Sequence, residues 1–164
     1  MKKIIVIGCP GSGKSTFASR LHKITRIPLF HLDMMYWNAD GTSVEKSVFL
    51  SRLQEALEKD AWIIDGNYGA TMEERIAACD TVFFLDYPKE VCLDGVRERI
   101  GKPRQDMPWI ETKEDAEFMD FIRNFEKDSR KSILDLLIKY SQKSIFILKD
   151  RSEGEALLSS LEQA

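Results

Sequence analysis

Long hydrophobic runs are absent from this chain of 164 residues. No run of consecutive apolar residues is longer than Ile4–Ile7, whereas a helix that crosses a bilayer needs roughly 20. The two lysines near the N-terminus lead into that short run and not into the apolar core of a signal peptide. We therefore expect neither a membrane anchor nor a signal peptide.

Cysteine is also scarce, because the chain has only Cys9, Cys79 and Cys92. Their spacing matches no metal-binding motif, and an odd number leaves at least one thiol unpaired. This pattern is typical of reduced thiols in a reducing compartment, so we expect a cytoplasmic protein. Cys9 is interpreted as a small filler residue, although a positive field around it would favour a thiolate.

An excess of basic charge is lacking as well, since 24 basic residues face 27 acidic ones and the net charge is −3. Proteins that bind DNA through its phosphates present a basic face. Basic residues cluster only between Arg97 and Lys131, where their spacing indicates a different use. We expect no direct DNA binding, and the sequence favours no particular oligomeric state.

A phosphate-binding loop is what the sequence does contain. The run from Gly8 to Thr16 matches the pattern G-x-x-x-x-G-K-[ST] and directly follows the predicted strand Lys2–Ile7. Glycines let such a loop curl so that its N–H groups converge on phosphates, and the next helix adds its positive end. We expect Lys14 to reach the β- and γ-phosphates of a nucleoside triphosphate and Ser15 to bind Mg²⁺. The residues expected to bind the nucleotide here are Gly8, Cys9, Pro10, Gly11, Ser12, Gly13, Lys14, Ser15 and Thr16.

Strand-like and helix-like segments alternate along the chain, which predicts an α/β fold with a parallel sheet and right-handed crossovers. The predicted strands are Lys2–Ile7, Pro28–Asp33, Ala61–Asp65, Thr81–Asp86 and Ser144–Leu148. The predicted helices run from Lys14 to about Ile24, from a Thr42–Glu45 capping box to about Lys59, from Thr71 to about Ala78, from Pro88 to about Ile100, from about Glu114 to Tyr140, and from a Ser152–Glu155 capping box to Leu161. Residues 101–113 have no hydrophobic period, which indicates a loop or lid.

Three of the predicted strands end in a carboxylate, at Asp33, Asp65 and Asp86. Because ligands of parallel α/β sheets bind at the carboxyl ends of the strands, we expect these side chains around the phosphate loop. Asp65 is the candidate Mg²⁺ ligand, directly or through water, with a turn-capping role before Gly66 as the alternative. Asp86 precedes Tyr87-Pro88 and is interpreted as the N-terminal cap of the next helix.

Asp33 stands beside the segment Met34–Trp37, whose thioether and aromatic side chains suit a pocket for a small acceptor molecule. There the carboxylate would orient a hydroxyl group or take its proton. A hydrophobic flap over the sheet with one solvated carboxylate is the alternative. His31 is interpreted as a core histidine, in a position to support either arrangement.

Phosphoryl transfer also needs cations around the transferred group. Arg123, Lys127 and Arg130 are spaced so that a regular helix would place them on one face. Together with arginines before and within the lid, among them Arg97, they are expected to close over the triphosphate. Arg123 and Arg130 are therefore catalytic candidates, while Arg97 and Arg151 are candidates for nucleotide binding, Arg151 against the base. A solvated face paired with nearby carboxylates is the alternative.

With these features together, the chain resembles the adenylate-kinase-like nucleoside and small-molecule kinases over most of its length. More narrowly, several blocks are similar to bacterial proteins named DNA topology modulation proteins. The blocks are His31-Leu32-Asp33, Trp62–Tyr68, Phe84–Pro88, and Pro103-Arg104 with Asp106-Met107. The resemblance implies one P-loop kinase-like domain over residues 1–164, a three-layer sandwich with five parallel strands in the order 2-3-1-4-5, ATP and Mg²⁺ on the phosphate loop, and a mobile lid at 101–113.

Two departures from those kinases bear on the acceptor. Asn67-Tyr68-Gly69 stand where nucleoside monophosphate kinases carry an acceptor-binding arginine, and the lid is short, without cysteine pairs for zinc. Asp33 is similar to the acceptor-binding aspartate of shikimate-type kinases, which implies a hydroxyl-bearing metabolite.

The sequence therefore predicts an ATP-dependent small-molecule kinase, with Lys14 at the phosphates and Asp33 at a nucleoside, nucleotide or hydroxylated metabolite. The alternative is an ATP-binding regulatory protein that affects DNA topology or a protein partner without kinase turnover. ATP uptake with no turnover across a panel of metabolites would favour that alternative. A simple NTPase is disfavoured, because no glutamate or glutamine after the third predicted strand suggests itself for positioning water.

Overall fold

β1 (Lys3–Gly8) is the central strand of a five-stranded parallel sheet in the computed structural model, which describes residues Met1–Ala164. The sheet order is β2-β3-β1-β4-β5, which confirms the expected fold class and strand order. The other strands are β2 (Leu29–His31), β3 (Trp62–Asp65), β4 (Thr81–Leu85) and β5 (Ser144–Leu148). The helices are α1 (Lys14–Thr25), α2 (Leu32–Tyr36), α3 (Lys46–Leu57), α4 (Gly69–Ala78), α5 (Lys89–Arg99), α6 (Ala116–Arg123), α7 (Lys131–Lys139) and α8 (Arg151–Glu162), with a π-helical turn at Glu126–Arg130.

The sheet is buried between two layers of helices, because its central strands carry apolar residues on both faces. In β1, the side chains of Ile4–Ile7 are fully buried. One face packs against α1 and α8 through Phe17, Leu21 and Leu158. The other face packs against the remaining helices in a larger cluster that includes Ile76. None of the helices combines the length and apolarity needed to cross a bilayer.

The strand register brings the ends of three strands together at one edge of the sheet. Val6 of β1 pairs with Asp65 of β3, and Asp65 pairs in turn with His31 of β2. The phosphate loop leaves β1 at Gly8, just beyond this point. The carboxyl edge of the sheet therefore holds the loop and the first two strand-end carboxylates.

The second strand is shorter than predicted. It ends at His31, and α2 begins at Leu32, so Asp33 lies in a helical turn and not on a strand. Leu32 is fully buried against Gly66, where a Cβ atom would lie 2.9 Å from the leucine side chain. This close packing turns the chain while keeping Asp33 at the edge of the sheet.

The long helix predicted from Glu114 to Tyr140 is divided into α6, the π-helical turn and α7. Asn124 leaves the α-helical region, with φ −98° and ψ 1°. The π-helical turn that follows is wider than an α-helix. Arg123 and Arg130 therefore do not share one regular helical face.

Two predicted capping boxes are wrong. The hydroxyl group of Thr42 donates to Asp40 at 2.6 Å, and α3 begins without a side-chain cap. At α8 the cap is Asp150, which accepts a hydrogen bond from the backbone N–H of Glu153 at 2.9 Å. Ser152 only donates its hydroxyl to that carboxylate. In both places the hydroxyl group donates to a neighbouring aspartate and does not act as the acceptor that a cap requires.

Asp86 does not cap the next helix either, because Pro88 occupies the N-cap position of α5. Its carboxylate accepts two hydrogen bonds from Arg130, at 2.8 and 2.9 Å, and one from Lys149 at 2.7 Å. Burial would raise the pKa of Asp86, but these bonds outweigh it and hold the pKa below its ordinary value. Asp86 thus joins β4 to the π-helical turn and to the residue after β5.

Candidate active site

A cavity of about 1170 Å³ lies at the carboxyl edge of the sheet, between the phosphate loop and residues 98–115. It brings together residues that are far apart in sequence and that were predicted to act together. The predicted site residues that line it are Pro10, Gly11, Gly13, Lys14, Ser15, Thr16, Asp33, Asp65 and Arg151.

The phosphate loop depends on glycine at two positions in particular. Gly11 and Gly13 have φ angles of 82° and 94°, in the left-handed region that favours glycine. A Cβ atom on Gly11 would lie 2.0 Å from the carbonyl oxygen of Cys92, so the loop rests directly on α5. The first backbone N–H groups of α1, at Lys14, Ser15 and Thr16, are left for a ligand, as in any first helical turn.

Within the phosphate loop, three residues that were predicted to bind the nucleotide do not line the cavity. They are Gly8, Cys9 and Ser12, which are buried on the side of the loop away from the cavity. A hydrogen bond with Cys92, together with burial, raises the pKa of the Cys9 thiol. Cys9 is therefore a packed filler, as interpreted from the sequence, and not a thiolate.

Lys14 lies between the phosphate loop and the strand-end carboxylates. Its Nζ donates to the carbonyl oxygen of Cys9 at 3.3 Å. Burial lowers the pKa of Lys14, while the charges of Asp65 and Asp33 act in the opposite direction. The ammonium group is thus held at the floor of the cavity, within the field of both aspartates.

Ser15 has a partner that sequence reasoning missed. Its hydroxyl donates to the Oδ2 atom of Asp106 at 2.7 Å, so residues 101–113, the lid loop, contact the phosphate loop directly. Asp106 is buried at 8% exposure, and Arg104 lies 3.7 Å from the same carboxylate oxygen. The only sequence signal was the Asp106-Met107 block that the resemblance picked out.

Two arginines of the lid region lie beside an acid. Arg99, at the end of α5, makes two hydrogen bonds to Glu111, at 2.9 and 3.1 Å, and Arg104 lies 3.8 Å from the same glutamate. Both arginines line the cavity. The lid loop is therefore held over the phosphate loop by an ionic network of its own.

Asp65 is buried at 4% exposure and accepts a hydrogen bond from Nδ1 of His31 at 2.8 Å. Burial would lower the pKa of His31, but this bond and the charge of Asp65 outweigh it and raise the pKa. His31 is partly exposed and lines the cavity, so it is not enclosed in the core as expected from the sequence.

Asp33 accepts a hydrogen bond at Oδ1 from the hydroxyl group of Tyr68, at 2.5 Å. Burial raises the pKa of Asp33, while the bond from Tyr68 and the charge of Lys14 act to lower it. Its other oxygen, Oδ2, accepts no hydrogen bond from the protein. The carboxylate is therefore oriented by one partner and has a free acceptor atom.

Arg75 holds the turn that carries Tyr68, and it was not identified from the sequence as a site residue. It is fully buried and donates to the backbone carbonyls of Gly66, Asn67 and Tyr68. Tyr68 has a φ angle of 33°, a left-handed conformation that a residue with a side chain adopts only when its surroundings enforce it. An arginine at helical spacing among Thr71, Met72 and Ile76 was the signal that could have revealed it.

Aromatic side chains form one wall of the cavity. Trp37 packs edge-to-face against Trp109 of the lid loop, with ring centroids 5.9 Å apart. Tyr36 links Trp37 to Tyr68, at 4.8 and 5.1 Å respectively. The two methionines of the predicted acceptor pocket are not part of this wall, because Met34 points to solvent at 45% exposure and Met35 is buried in the core.

Three predicted arginines do not reach the cavity. Arg123 pairs with Asp120 on the surface, and Arg130 is held by Asp86. Arg97 pairs with Glu114 at 2.8 Å. The expectation that these side chains close over a triphosphate is corrected, since each is bound by a carboxylate elsewhere. By contrast, a Cβ atom on Gly13 would lie 3.1 Å from the Arg151 guanidinium, which places Arg151 beside the phosphate loop.

Comparisons with known proteins found kinases with similar sequences and a kinase with a similar fold. The chain is 30% identical over 102 residues to an adenylate kinase of Thermotoga maritima, a match that covers 58% of this chain and 46% of that protein. It is 27% identical over 121 residues to an adenylate kinase of Pseudothermotoga lettingae, covering 70% and 54%. The chain spans about half the length of these curated relatives.

The shikimate kinase of Bacteroides thetaiotaomicron has the same fold, with a TM-score of 0.56 at 22% identity, over 98% of this chain and 95% of that one. The chain has a P-loop kinase fold. No protein-family model matches it.

P-loop kinases use Mg²⁺ with their nucleotide, and the residues here fit that ion. The oxygen atoms of Ser15, Asp106 and Asp65 are the hard donors that Mg²⁺ prefers. No three acidic, histidine or cysteine side chains converge into a closed metal cage.

Proposed function

We propose that this protein is an ATP-dependent kinase that transfers the γ-phosphoryl group of ATP to a hydroxyl group of a small acceptor. The observation that carries the proposal is that Lys14 and Asp33 line the same cavity, with the charge of Asp33 acting on Lys14. A lysine of the phosphate loop and a carboxylate with a free oxygen atom thus lie at one site, which supports the proposal.

In the proposed reaction, the acceptor oxygen forms a bond to the γ-phosphorus, and the bond from that phosphorus to the oxygen bridging to the β-phosphate breaks. ADP leaves, and the hydroxyl proton passes to Asp33. The raised pKa of Asp33 suits a group that takes a proton, and Tyr68 fixes its orientation. Mg²⁺, when bound, neutralises charge on the phosphate oxygens.

The remaining residues position the nucleotide and exclude water. Lys14 and the first N–H groups of α1 bind the phosphates, and Ser15 and Asp65 hold the ion. Arg151, whose guanidinium lies beside Gly13, would contact the nucleotide. The lid loop covers the site through Asp106 and keeps bulk water from the transferred group.

The test is ADP formation from MgATP across a panel of hydroxyl-bearing metabolites, nucleosides and nucleotides. Lys14→Ala should lower turnover about 100-fold or more, because it removes a contact to the transferring group. Lys131→Ala is the matched control, since Lys131 is an exposed lysine that does not line the cavity. Full turnover by Lys14→Ala would contradict the proposal.

The narrower resemblance to DNA topology modulation proteins stays a prediction. Tight binding of MgATP with no turnover on any member of the panel would favour the regulatory alternative over the kinase.

A further inference from the structure

We infer that the acceptor is an uncharged hydroxyl compound built on a flat ring, such as a nucleoside, and not a nucleoside monophosphate. This inference rests on the proposed kinase function and names the substrate class of the same site. It is carried by the acceptor end of the cavity, defined as Asp33, Trp37, Tyr68 and Trp109.

These four residues form one connected surface. The hydroxyl group of Tyr68 donates a hydrogen bond to Asp33, and the ring of Tyr36 packs against both Tyr68 and Trp37. Trp37 contacts Trp109, which comes from the lid loop. The acceptor end thus includes one lid residue, so the lid loop contributes to acceptor recognition as well as to closure.

The tryptophans favour a flat ring. Aromatic faces and edges pair best with other unsaturated rings, in offset or edge-to-face contact. The Nε1 donor of Trp109 is buried and has no hydrogen-bond partner in the protein. A carbonyl oxygen or ring nitrogen of a ligand would satisfy this donor, which otherwise remains buried without a bond.

The charges at this end disfavour an anionic acceptor. Among the charged groups that act on Asp33, only Lys14 is a cation, whereas Asp65 and Asp106 are further carboxylates. The proposed function already assigns Lys14 to the phosphates of ATP. A phosphate on the acceptor would therefore lie in the field of three carboxylates, and like charges brought together are costly.

Two arginines that line the cavity have acidic neighbours. Arg99 is hydrogen-bonded to Glu111, whereas Arg104 lies 3.8 Å from Glu111 and 3.7 Å from Asp106, and the Nη2 atom of Arg104 has no hydrogen-bond partner. Arg75, the arginine that follows the Gly66–Tyr68 turn, is fully buried and bound to three backbone carbonyls of that turn. It holds the turn and does not line the cavity.

The free Oδ2 atom of Asp33 accounts for the hydroxyl group. A carboxylate that accepts one hydrogen bond from Tyr68 retains capacity for another donor. A hydroxyl group satisfies it, whereas a fully ionised carboxylate or phosphate group has no proton to donate.

Isothermal titration calorimetry tests the inference on the full chain saturated with a non-hydrolysable ATP analogue and Mg²⁺. The ring compounds are thymidine, adenosine and pyridoxine, and the anionic probes are thymidine monophosphate, AMP and shikimate. The affinity for at least one neutral ring compound should exceed the affinity for every anionic probe by about tenfold or more. Tighter binding of a monophosphate or of shikimate overturns the inference, as does the absence of binding by all three ring compounds.

Trp109→Leu tests the ring contact separately. It should weaken binding of the preferred ring compound about tenfold and leave the affinity for the ATP analogue within about twofold. Phe146→Leu is the control, because Phe146 is an exposed aromatic residue outside the cavity. Unchanged binding of the ring compound by Trp109→Leu overturns the assignment of Trp109 to the acceptor end. If circular dichroism shows that Trp109→Leu is unfolded, Trp37→Leu repeats the test.

Failure of this inference is distinguishable from failure of the proposed function. If the analogue binds with Mg²⁺ and a monophosphate is phosphorylated, the kinase stands and the acceptor class is wrong. If the analogue does not bind at all, the proposed function fails and the inference fails with it.

Discussion

The hydroxyl group of Ser15 donates a hydrogen bond to Asp106, which lies 91 residues further along the chain. This contact joins the phosphate loop to the lid loop. Because Ser15 is also the candidate Mg²⁺ ligand, the position of the lid loop and the metal-binding end of the phosphate loop are coupled.

Removing that carboxylate should loosen the lid loop. Asp106→Ala removes a hydrogen bond to a charged acceptor, and we expect amide hydrogen exchange in residues 101–113 to become about tenfold faster. Exchange mass spectrometry on the unliganded protein measures this. Asp60→Ala, at an exposed turn, should leave the exchange unchanged. Equal exchange in the two variants would show that other contacts hold the loop.

The pair of His31 and Asp65 should make stability depend on pH. Since the folded pKa of His31 is raised, its contribution is fully present below the unfolded value of about 6.5 and is lost as the pH rises through the folded pKa. The free energy of unfolding should therefore fall between pH 6 and pH 9 in the native protein. His31→Asn should reduce that fall, and His22→Asn should retain it. Urea unfolding at both pH values provides the measurement.

Asp86 should make the free energy of unfolding depend on pH in the acidic range. Its folded pKa is lowered, so its contribution is present above the unfolded value of about 3.9 and is lost as the pH falls through the folded pKa. Asp86→Asn should lower the free energy of unfolding by about 1–3 kcal/mol at pH 7, and the difference should shrink below about pH 4. Asp135→Asn, which breaks an exposed pair with Lys131, should cost less than about 0.5 kcal/mol. A pH-independent effect of Asp86→Asn would contradict the ionic assignment.

Gly11 should not tolerate a side chain. The Cβ atom of Gly11→Ala would meet the backbone oxygen of Cys92 at 2.0 Å, and backbone cannot move aside cheaply. We expect a loss of about 2–4 kcal/mol in unfolding free energy and weaker binding of an ATP analogue. In contrast, nothing lies within 4 Å of a Cβ on Gly69, so Gly69→Ala should leave stability unchanged or raise it by up to about 1 kcal/mol. Thermal and calorimetric measurements on both variants decide the point.

Local patterns predicted the framework well. The apolar strands, the alternation of strands with helices and the phosphate loop are short-range features, and the ends of β1, β3, β4 and β5 lie within one residue of their predicted places. The second strand was the exception. The packing of Leu32 against Gly66 ended it early, and that contact joins parts of the chain that no local pattern relates.

The candidate site was only partly visible in the sequence. Lys14, Asp33 and Asp65 were expected at the edge of the sheet and lie there. Arg123 and Arg130 were also expected there but do not lie there. The prediction assumed one regular helix through residues that form a π-helical turn. Spacing alone says nothing about which carboxylate will bind a given arginine.

The amino-acid sequence by itself predicted the phosphate loop and its place between β1 and α1, since the loop needs only glycines and a lysine at fixed spacing, ahead of a helix. Tertiary structure alone decided what surrounds that loop. Asp106 meets Ser15, Tyr68 meets Asp33, and Arg130 meets Asp86 across 91, 35 and 44 residues of chain. Such pairs depend on how strands and helices pack against one another, and packing is a property of the whole chain.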